Sequence, residues 1–344
     1  MIAYRQIVDS FIPARHHPAL VLDYARSREL DERGDLVLRG TALRSWDMPD
    51  ASATLSPAQY LQLLSNVMRA LDSPDTSFML GQQMLPGHFG ALSHALLQAR
   101  NLRQALEILS AGHAQLCPLL TPRLREEGGM AVLYWTDSFG APSQLPALVE
   151  MHMTAVTAMC RWLGAERLPW RYCLNRGAPA HVEQHQVHLG SDLRFNCHLD
   201  AMLINPAWLD RPWPRGNGMV ASVAAAEAGA EALAPSLLAA LYDYLLANIR
   251  LGPTLEHSAA AFGISPATLK RHLARHGSHF QAELDQVRAH VAIQLFQMRG
   301  YDNEAVAQYL GFHDATNFRR SFKRWTGLTP SLLRDGLLSI PQLV

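Results

Sequence analysis

Two short stretches near the end of the 344-residue chain carry side chains suited to contacting a nucleic acid. The first holds Ser265, Ala267, Thr268, Lys270, Arg271 and Arg275; the second holds Thr316, Asn317, Arg319, Arg320 and Lys323. A guanidinium presents a fork of N–H donors to the major-groove edge of guanine, and alanine meets the methyl group of thymine. Lysines and outer arginines suit the phosphates. The stretches are copies of one another. Ala259, Gly263 and Ile264 recur 48 residues later as Ala307, Gly311 and Phe312, and Leu269, Arg271 and Leu273 recur 49 residues later as Phe318, Arg320 and Phe322.

Other reactive side chains make weaker constellations. His181, His185, His188 and His198 lie near Cys197, but their spacing is loose for metal ligation, which favours defined spacing on a rigid element. His113 stands alone and does not make a haem site. Glu126-Glu127 beside Gly128-Gly129 reads as a hairpin turn, not an acid–base pair. No nucleophile elbow, phosphate loop or dinucleotide fingerprint occurs. No catalytic residue, metal or cofactor is therefore expected. Trp135, Phe139, Trp162, Trp170 and Phe195 read as core aromatics, some of them candidates to line a ligand pocket.

The elements that must position the basic stretches follow from pattern. From Ser236 the sequence is helical throughout, with seven helices expected near 236–249, 254–262, 265–275, 278–298, 303–310, 314–325 and 330–337. Gly263 and Gly311 sit where a helix-turn-helix needs a residue free to take positive φ. Ser265 followed by Pro266 is a strong helix start, and Asp314 caps the second copy. Leu269 and Leu273, and Phe318, Phe322 and Trp325, form the inward faces, which turns the basic residues outward. The helix from Ser278 spans roughly 30 Å at ~1.5 Å per residue, comparable to the ~34 Å between successive major-groove segments on one face of DNA. Arg288 and His290 on it could touch the DNA backbone, with plain solvation the simpler role.

The N-terminal part mixes periods. Ser56-Pro57 opens a helix with apolar Tyr60, Leu61, Leu63, Leu64 and Val67. Leu92–Ile108 reads as two helices joined near Arg100-Asn101, and Pro146–Leu163 as another. Ala131–Trp135, Trp170–Leu174, Leu193–Cys197 and Met202–Ile204 read as strands whose mostly short connections favour antiparallel pairing. The expected fold is thus an α+β N-terminal domain with an antiparallel sheet, plus an all-α C-terminal domain of two helix-turn-helix units joined by a long helix. The Pro- and Gly-rich run after Asp210 sets the domains at 1–212 and 236–344, with 213–235 as a linker, either a short helix or a hinge. Formal charge is zero overall, yet from Ser236 onward eleven basic residues outnumber eight acidic ones, leaving +3 there and −3 in the remainder. No apolar run approaches the ~20 residues of a membrane span. The four scattered cysteines and the absence of a secretory pattern fit a reducing cytoplasm.

Thr254–Arg334 resembles the DNA-binding domain of the AraC/XylS transcription regulators. The resemblance is carried by Ala260-Ala-Phe-Gly-Ile-Ser-Pro-Ala-Thr-Leu-Lys-Arg-His-Leu273, Val306-Ala-Gln-Tyr-Leu-Gly-Phe-His313, Phe318-Arg-Arg-Ser-Phe-Lys-Arg-Trp-Thr-Gly-Leu-Thr-Pro330 and Arg334. It implies reading helices at Pro266–Arg275 and Ala315–Trp325, with Arg271 and Arg320 at positions that often contact DNA. Ala267 departs from the larger side chain common there. Gly87-His-Phe-Gly-Ala-Leu92, Leu102-Arg-Gln-Ala-Leu106, Leu193-Arg-Phe-Asn196 and Leu209-Asp-Arg-Pro212 resemble the sensor domain of the subgroup with an arabinose-binding-type N-terminal domain. That likeness implies effector sensing and dimerisation. The expected partners are double-stranded promoter DNA, a small organic metabolite (amino-acid-related in this subgroup), a second copy of the chain and RNA polymerase, with no membrane. Two alternatives stay open: a ligand-independent DNA-binding protein whose N-terminal domain only dimerises, and an N-terminal enzyme domain fused to a DNA-binding module.

Overall fold

The computed structural model describes residues 1–336 apart from 34, 35, 48, 49, 51, 128 and 230–232. Three sequence expectations fall partly outside these residues: residue 337 of the last helix, residue 128 of the hairpin turn, and residues 230–232 of the linker.

The N-terminal part opens with a two-stranded ribbon, β1 (Ile12–Pro13) and β2 (Thr54–Leu55), around α1 (His17–Arg26). Next come α2 (Pro57–Leu71), α3 (Thr76–Met84), α4 (Ala91–Leu97), α5 (Leu102–Ala111) and the short α6 (His113–Leu116). The start of α2 is set by a reciprocal cap: Ser56 Oγ accepts from the Gln59 N–H while Gln59 Oε1 accepts from the Ser56 N–H. The break between α4 and α5 falls at the expected Asn101, whose side chain caps α5.

The main sheet has the order β3-β4-β7-β5-β6, with β3 at Leu120–Glu127, β4 at Met130–Asp137, β5 at Arg171–Cys173, β6 at Leu193–Arg194 and β7 at Ala201–Ile204. Two helices lie between its strands, α7 (Leu145–Leu163) and α8 (Glu183–His188). The sheet is mixed, which corrects the antiparallel expectation: β5 and β6 run parallel, Tyr172 beside Leu193. Their connection includes α8 and is long enough for a crossover, which short connections are not. Strand β3 also escaped the sequence reading. It holds Pro122 and alternates charged Arg123 and Arg125 with apolar residues, a composition tolerated because it is an edge strand.

Both faces of the sheet are covered. Ala131, Leu133, Trp135, Tyr172, Met202 and Ile204 join the N-terminal core with α7. The alternate residues Met130, Tyr134, Cys173, Ala201 and Leu203 join a second core with the C-terminal helices. Near-continuous apolar runs in β4 and β7 have this cause.

Residues of the expected linker form α9 (Gly218–Gly229), which packs on α4 and α5. Gly216 and Gly218 permit that approach, since a Cβ at Gly216 would lie 2.4 Å from the Ala99 carbonyl oxygen. The helical C-terminal part follows: α10 (Leu237–Ala247), α11 (Leu255–Ala261), α12 (Pro266–Arg275), α13 (Phe280–Met298), α14 (Asn303–Tyr309), α15 (Ala315–Thr326) and α16 (Pro330–Gly336). These match the seven expected helices to within a few residues. Among the described residues, no helix is long and apolar enough to cross a membrane.

Candidate nucleic-acid interface

The two basic stretches lie on α12 and α15, and each is positioned by the same local device. In the first unit α11 ends at Gly263 (φ +69°), whose N–H donates to the Ala260 carbonyl, while the Ile264 N–H donates back to Ala259 at 3.0 Å. In the second, α14 ends at Gly311 (φ +73°), and the Phe312 N–H donates back to Ala307 at 2.9 Å. The left-handed turn closes each short helix and redirects the chain. Ala259 and Ala307 are buried where the paired helices cross, as small residues must be for close packing.

Side-chain caps then start the reading helices. Ser265 Oγ accepts from the Thr268 N–H at 3.1 Å, with Pro266 in the first turn. Asp314 Oδ1 accepts from the Asn317 N–H at 2.7 Å. That bond holds the Asp314 carboxyl below the usual carboxylate range. Leu269 and Leu273 of α12, and Phe318 and Phe322 of α15, are fully buried. Phe296 of α13 and Phe312 pack edgewise on Phe322 and Phe318 respectively, which seats α15.

With the apolar face so anchored, Ser265, Ala267, Lys270, Arg271 and Arg275 are exposed on α12, and Thr268 is half-buried. On α15, Thr316, Asn317, Arg319, Arg320 and Lys323 are exposed. Several of the polar groups are already engaged locally, Arg319 donating to the Thr316 hydroxyl at 3.5 Å among them. The Thr268 hydroxyl lies 2.9 Å from Ser265 Oγ, and Asn317 Nδ2 donates to Asp314 Oδ2 at 2.7 Å. Among the described residues, no ion pair engages Lys270, Arg271, Arg275, Arg319, Arg320 or Lys323. Arg324, by contrast, faces Asp285 of α13 at 3.4 Å, and Arg288 lies 3.8 Å from the same carboxylate. The outer face of each reading helix therefore carries unneutralised cations, while those nearer α13 are tied inward.

The spacer α13 has 19 residues, or roughly 28 Å at ~1.5 Å per residue. Its His290 does not face the DNA side: the half-buried ring packs edge-on against Tyr134 of β4, with Nδ1 2.9 Å from the Tyr242 hydroxyl of α10, and desolvation pushes its pKa down to about 3. Arg288 is only partly exposed beside Asp285. Position along the helix suggested a phosphate contact for both residues, but the sheet occupies the face of α13 that His290 is on.

Other sequence candidates separate in the structure. Glu126 is the next-to-last residue of β3, opposite Ala131 where the strand turns back into β4, and pairs with Arg103. His185 is buried and hydrogen-bonded to Glu150 Oε1 at 3.1 Å, whereas His198 lies 3.2 Å from the Thr329 carbonyl. The described residues contain no group of His, Cys, Asp or Glu arranged to hold a metal. Trp135, Phe139 and Trp170 are core residues and Phe195 packs partly against the core, but Trp162 is 63% exposed at the end of α7. It sits on the outward side of the last turn, so the core expectation fails there.

Sequence reasoning did not foresee the contacts between the N-terminal part and α12. His276, at the end of α12, is buried, and its Nδ1 lies 3.1 Å from the Phe139 carbonyl oxygen. Gly140 (φ +81°) abuts it so closely that a Cβ would sit 1.7 Å from the His276 carbonyl oxygen. The loop is shaped by Asp137, which accepts from the backbone N–H groups of Phe139, Gly140 and Ala141. Tyr4 adds a hydroxyl contact to His272 Nδ1 at 2.9 Å. The only sequence signal for any of this is the glycine at position 140 after an aspartate, which reads as an ordinary turn.

Residues 34–213 match the family described as the arabinose-binding domain of AraC transcription regulators, N-terminal, and residues 258–336 match a helix-turn-helix domain. The chain is 28% identical over 324 residues to the ornithine utilization regulator of Pseudomonas aeruginosa, covering 92% of this chain and 93% of that protein. It is 24% identical over 305 residues to the HTH-type transcriptional regulator VirS of Mycobacterium tuberculosis, covering 85% and 89%. The crystal structure of the transcriptional regulator CdpR from Pseudomonas aeruginosa aligns over 93% of this chain and 98% of its own, with 18% identity and a TM-score of 0.43.

Proposed function

Because the chain belongs to the AraC transcription regulators with an arabinose-binding-type N-terminal domain, we propose that α12 and α15 enter successive major-groove segments of promoter DNA under effector control. It is a DNA-binding transcription regulator with an N-terminal ligand-binding domain. The finer reading gives base-edge and phosphate contacts to Ser265, Ala267, Thr268, Lys270, Arg271 and Arg275 on the first helix, and to Thr316, Asn317, Arg319, Arg320 and Lys323 on the second. The single observation that carries it is the repeated unit with an unneutralised basic outer face. Arg271 and Arg320 occupy the same place in the two copies, and both suit guanine.

The effector is a small organic metabolite. The name of the ornithine utilization regulator supports an amino-acid-related one. In the proposed division, 1–212 senses and dimerises, 213–235 connects, and 236–344 binds DNA and meets RNA polymerase in the cytoplasm. Effector control acts by population shift, because an effector moves an equilibrium only by its differential affinity for the two states.

The test is binding to a promoter fragment found by genome-wide mapping of occupied sites, followed by fluorescence anisotropy. Affinity should fall steeply with salt, because phosphate contacts release counterions. Arg320→Ala should weaken cognate binding by about 1–3 kcal/mol and leave random-sequence binding much less affected. Native-like cognate affinity in that variant would show that α15 is not the reader.

A further inference from the structure

A cavity of about 480 Å³, lined by polar and apolar side chains in similar measure, lies where the sensor sheet meets the DNA-binding helices. Trp135 of β4, Val149 of α7 and Asp200 beside β7 line it from one side. Gln286 of α13 and Arg324 and Trp325 of α15 line it from the other. That volume suits a small metabolite, and junctions between domains are common places for ligand pockets.

Two carboxylates, Asp200 and Asp285, and one guanidinium, Arg324, line it, while Arg176 and Arg288 each stand 3.8 Å from one of the carboxylates. Asp285 is fully engaged: Oδ1 accepts from Gln281 Nε2 at 2.7 Å and Oδ2 lies 3.4 Å from Arg324. Asp200 is not. Its Oδ1 accepts the Asn175 N–H at 2.8 Å, and Arg176 stands off at 3.8 Å because its other terminal nitrogen is bonded to Glu150 at 2.8 Å. Among the described residues Oδ2 has no hydrogen-bond partner. Burial raises the Asp200 pKa, and the Asn175 N–H and the Arg176 guanidinium offset this only in part.

An anion is less well served. Arg324, among the described residues the one arginine lining the cavity, already lies 3.4 Å from Asp285. His198 is held to the Thr329 carbonyl, and burial lowers its pKa, so it stays neutral near pH 7. His279 uses Nδ1 to accept the Ala282 N–H at the start of α13.

We propose that this junction cavity is the effector site and that it takes a small aliphatic primary amine. The ammonium sits against Asp200 Oδ2, and the alkyl stem runs over the apolar wall of Trp135, Val149 and Trp325. This deepens the preceding reading and rests on it. Because the walls come from both domains, an amine binds the docked arrangement alone and so stabilises it. Arg324 and Trp325 belong to the helix whose outer face carries Arg319, Arg320 and Lys323, so occupancy fixes the orientation of a reading helix.

The experiment uses the full-length protein near pH 7.5, by calorimetric titration and thermal melts, with 1,4-diaminobutane, L-lysine and butyrate as probes. At least one amine should bind and raise the melting temperature, and butyrate should do neither. Asp200→Asn keeps the shape and should weaken amine binding about tenfold or more, the loss of one charge-assisted bond. Ala282→Trp should fill the cavity and abolish binding. A tighter diamine assigns a polyamine-like effector; tighter lysine assigns an amino acid. The proposal is overturned if neither amine moves the native melt, if butyrate binds as well, or if Asp200→Asn binds amines as the native protein does. Promoter binding by the same preparations separates the two readings: an amine-silent protein that grips promoter DNA sinks only the cavity assignment, and a native protein that ignores promoter DNA sinks the regulator reading.

Discussion

Glycines at three positions show how much a single residue's surroundings decide. Gly263 and Gly311 both turn the chain through positive φ, and at Gly311 the space around a Cβ is open. Gly311→Ala should therefore cost only the left-handed backbone strain, about 1–2 kcal/mol. Gly140 has the same sign of φ, but its missing side chain is where the His276 carbonyl lies. Gly140→Ala should exceed that cost, because the loop must also part from the end of α12. Urea melts of the two variants measure this, and equal losses would mean the Gly140 contact is not made in solution. The outward places of Arg271 and Arg320 were legible in the sequence, because flanking leucines and phenylalanines define the inward face. The role of Gly140 was not, since its partner is 136 residues distant and no periodicity connects them.

At the scale of elements, the short helices depend on their ends. A ten-residue helix such as α12 is marginal alone, so cap and packing decide whether it forms. Removing either cap, by Ser265→Ala or Asp314→Ala, should destabilise the protein by about 1 kcal/mol. Hydrogen exchange should rise first in the opening turn of the altered helix; a uniform rise across the C-terminal part would contradict a local role. Asp314→Ala also releases Asn317 Nδ2 from its carboxylate partner. The caps, the seven helices and the paired turns were all readable from residue order, because each is a local event spanning a few residues. The sheet was read less well. Its strands were recognisable by composition except for β3, yet the parallel pairing of β5 and β6 depends on where α8 leads the chain.

The whole molecule is held together across the sheet, and its titration should report that junction. Glu283 of α13 is buried, bonded by Ser278 Oγ and near Asp137, and burial raises its pKa to about 7. The folded protein thus keeps a proton that the unfolded chain releases near the ordinary carboxyl value. The resulting stabilisation is complete below about pH 4.5 and is lost as pH rises through about 7, amounting to roughly 3 kcal/mol at most. His17 and His290, lowered by burial to about 3, and His152, to about 4, act oppositely and lose stability as pH falls below about 6.5. Comparing native protein with Glu283→Gln isolates the first effect. The stability of the variant relative to native should increase between pH 5 and pH 8 in urea melts, and parallel pH profiles would refute it.

Residue order alone determined the two helix-turn-helix units, their basic outer faces and the kinship that names the family. Caps, left-handed turns and amphipathic spacing act between neighbours in the chain, so the information is local. Tertiary structure alone decided that the sheet buries both faces, that His290 points toward the sheet, and that β4, α7, α13 and α15 line one cavity together with Asp200. These depend on surfaces brought together from distant parts of the chain, where burial and charge balance are set by partners that no local pattern names.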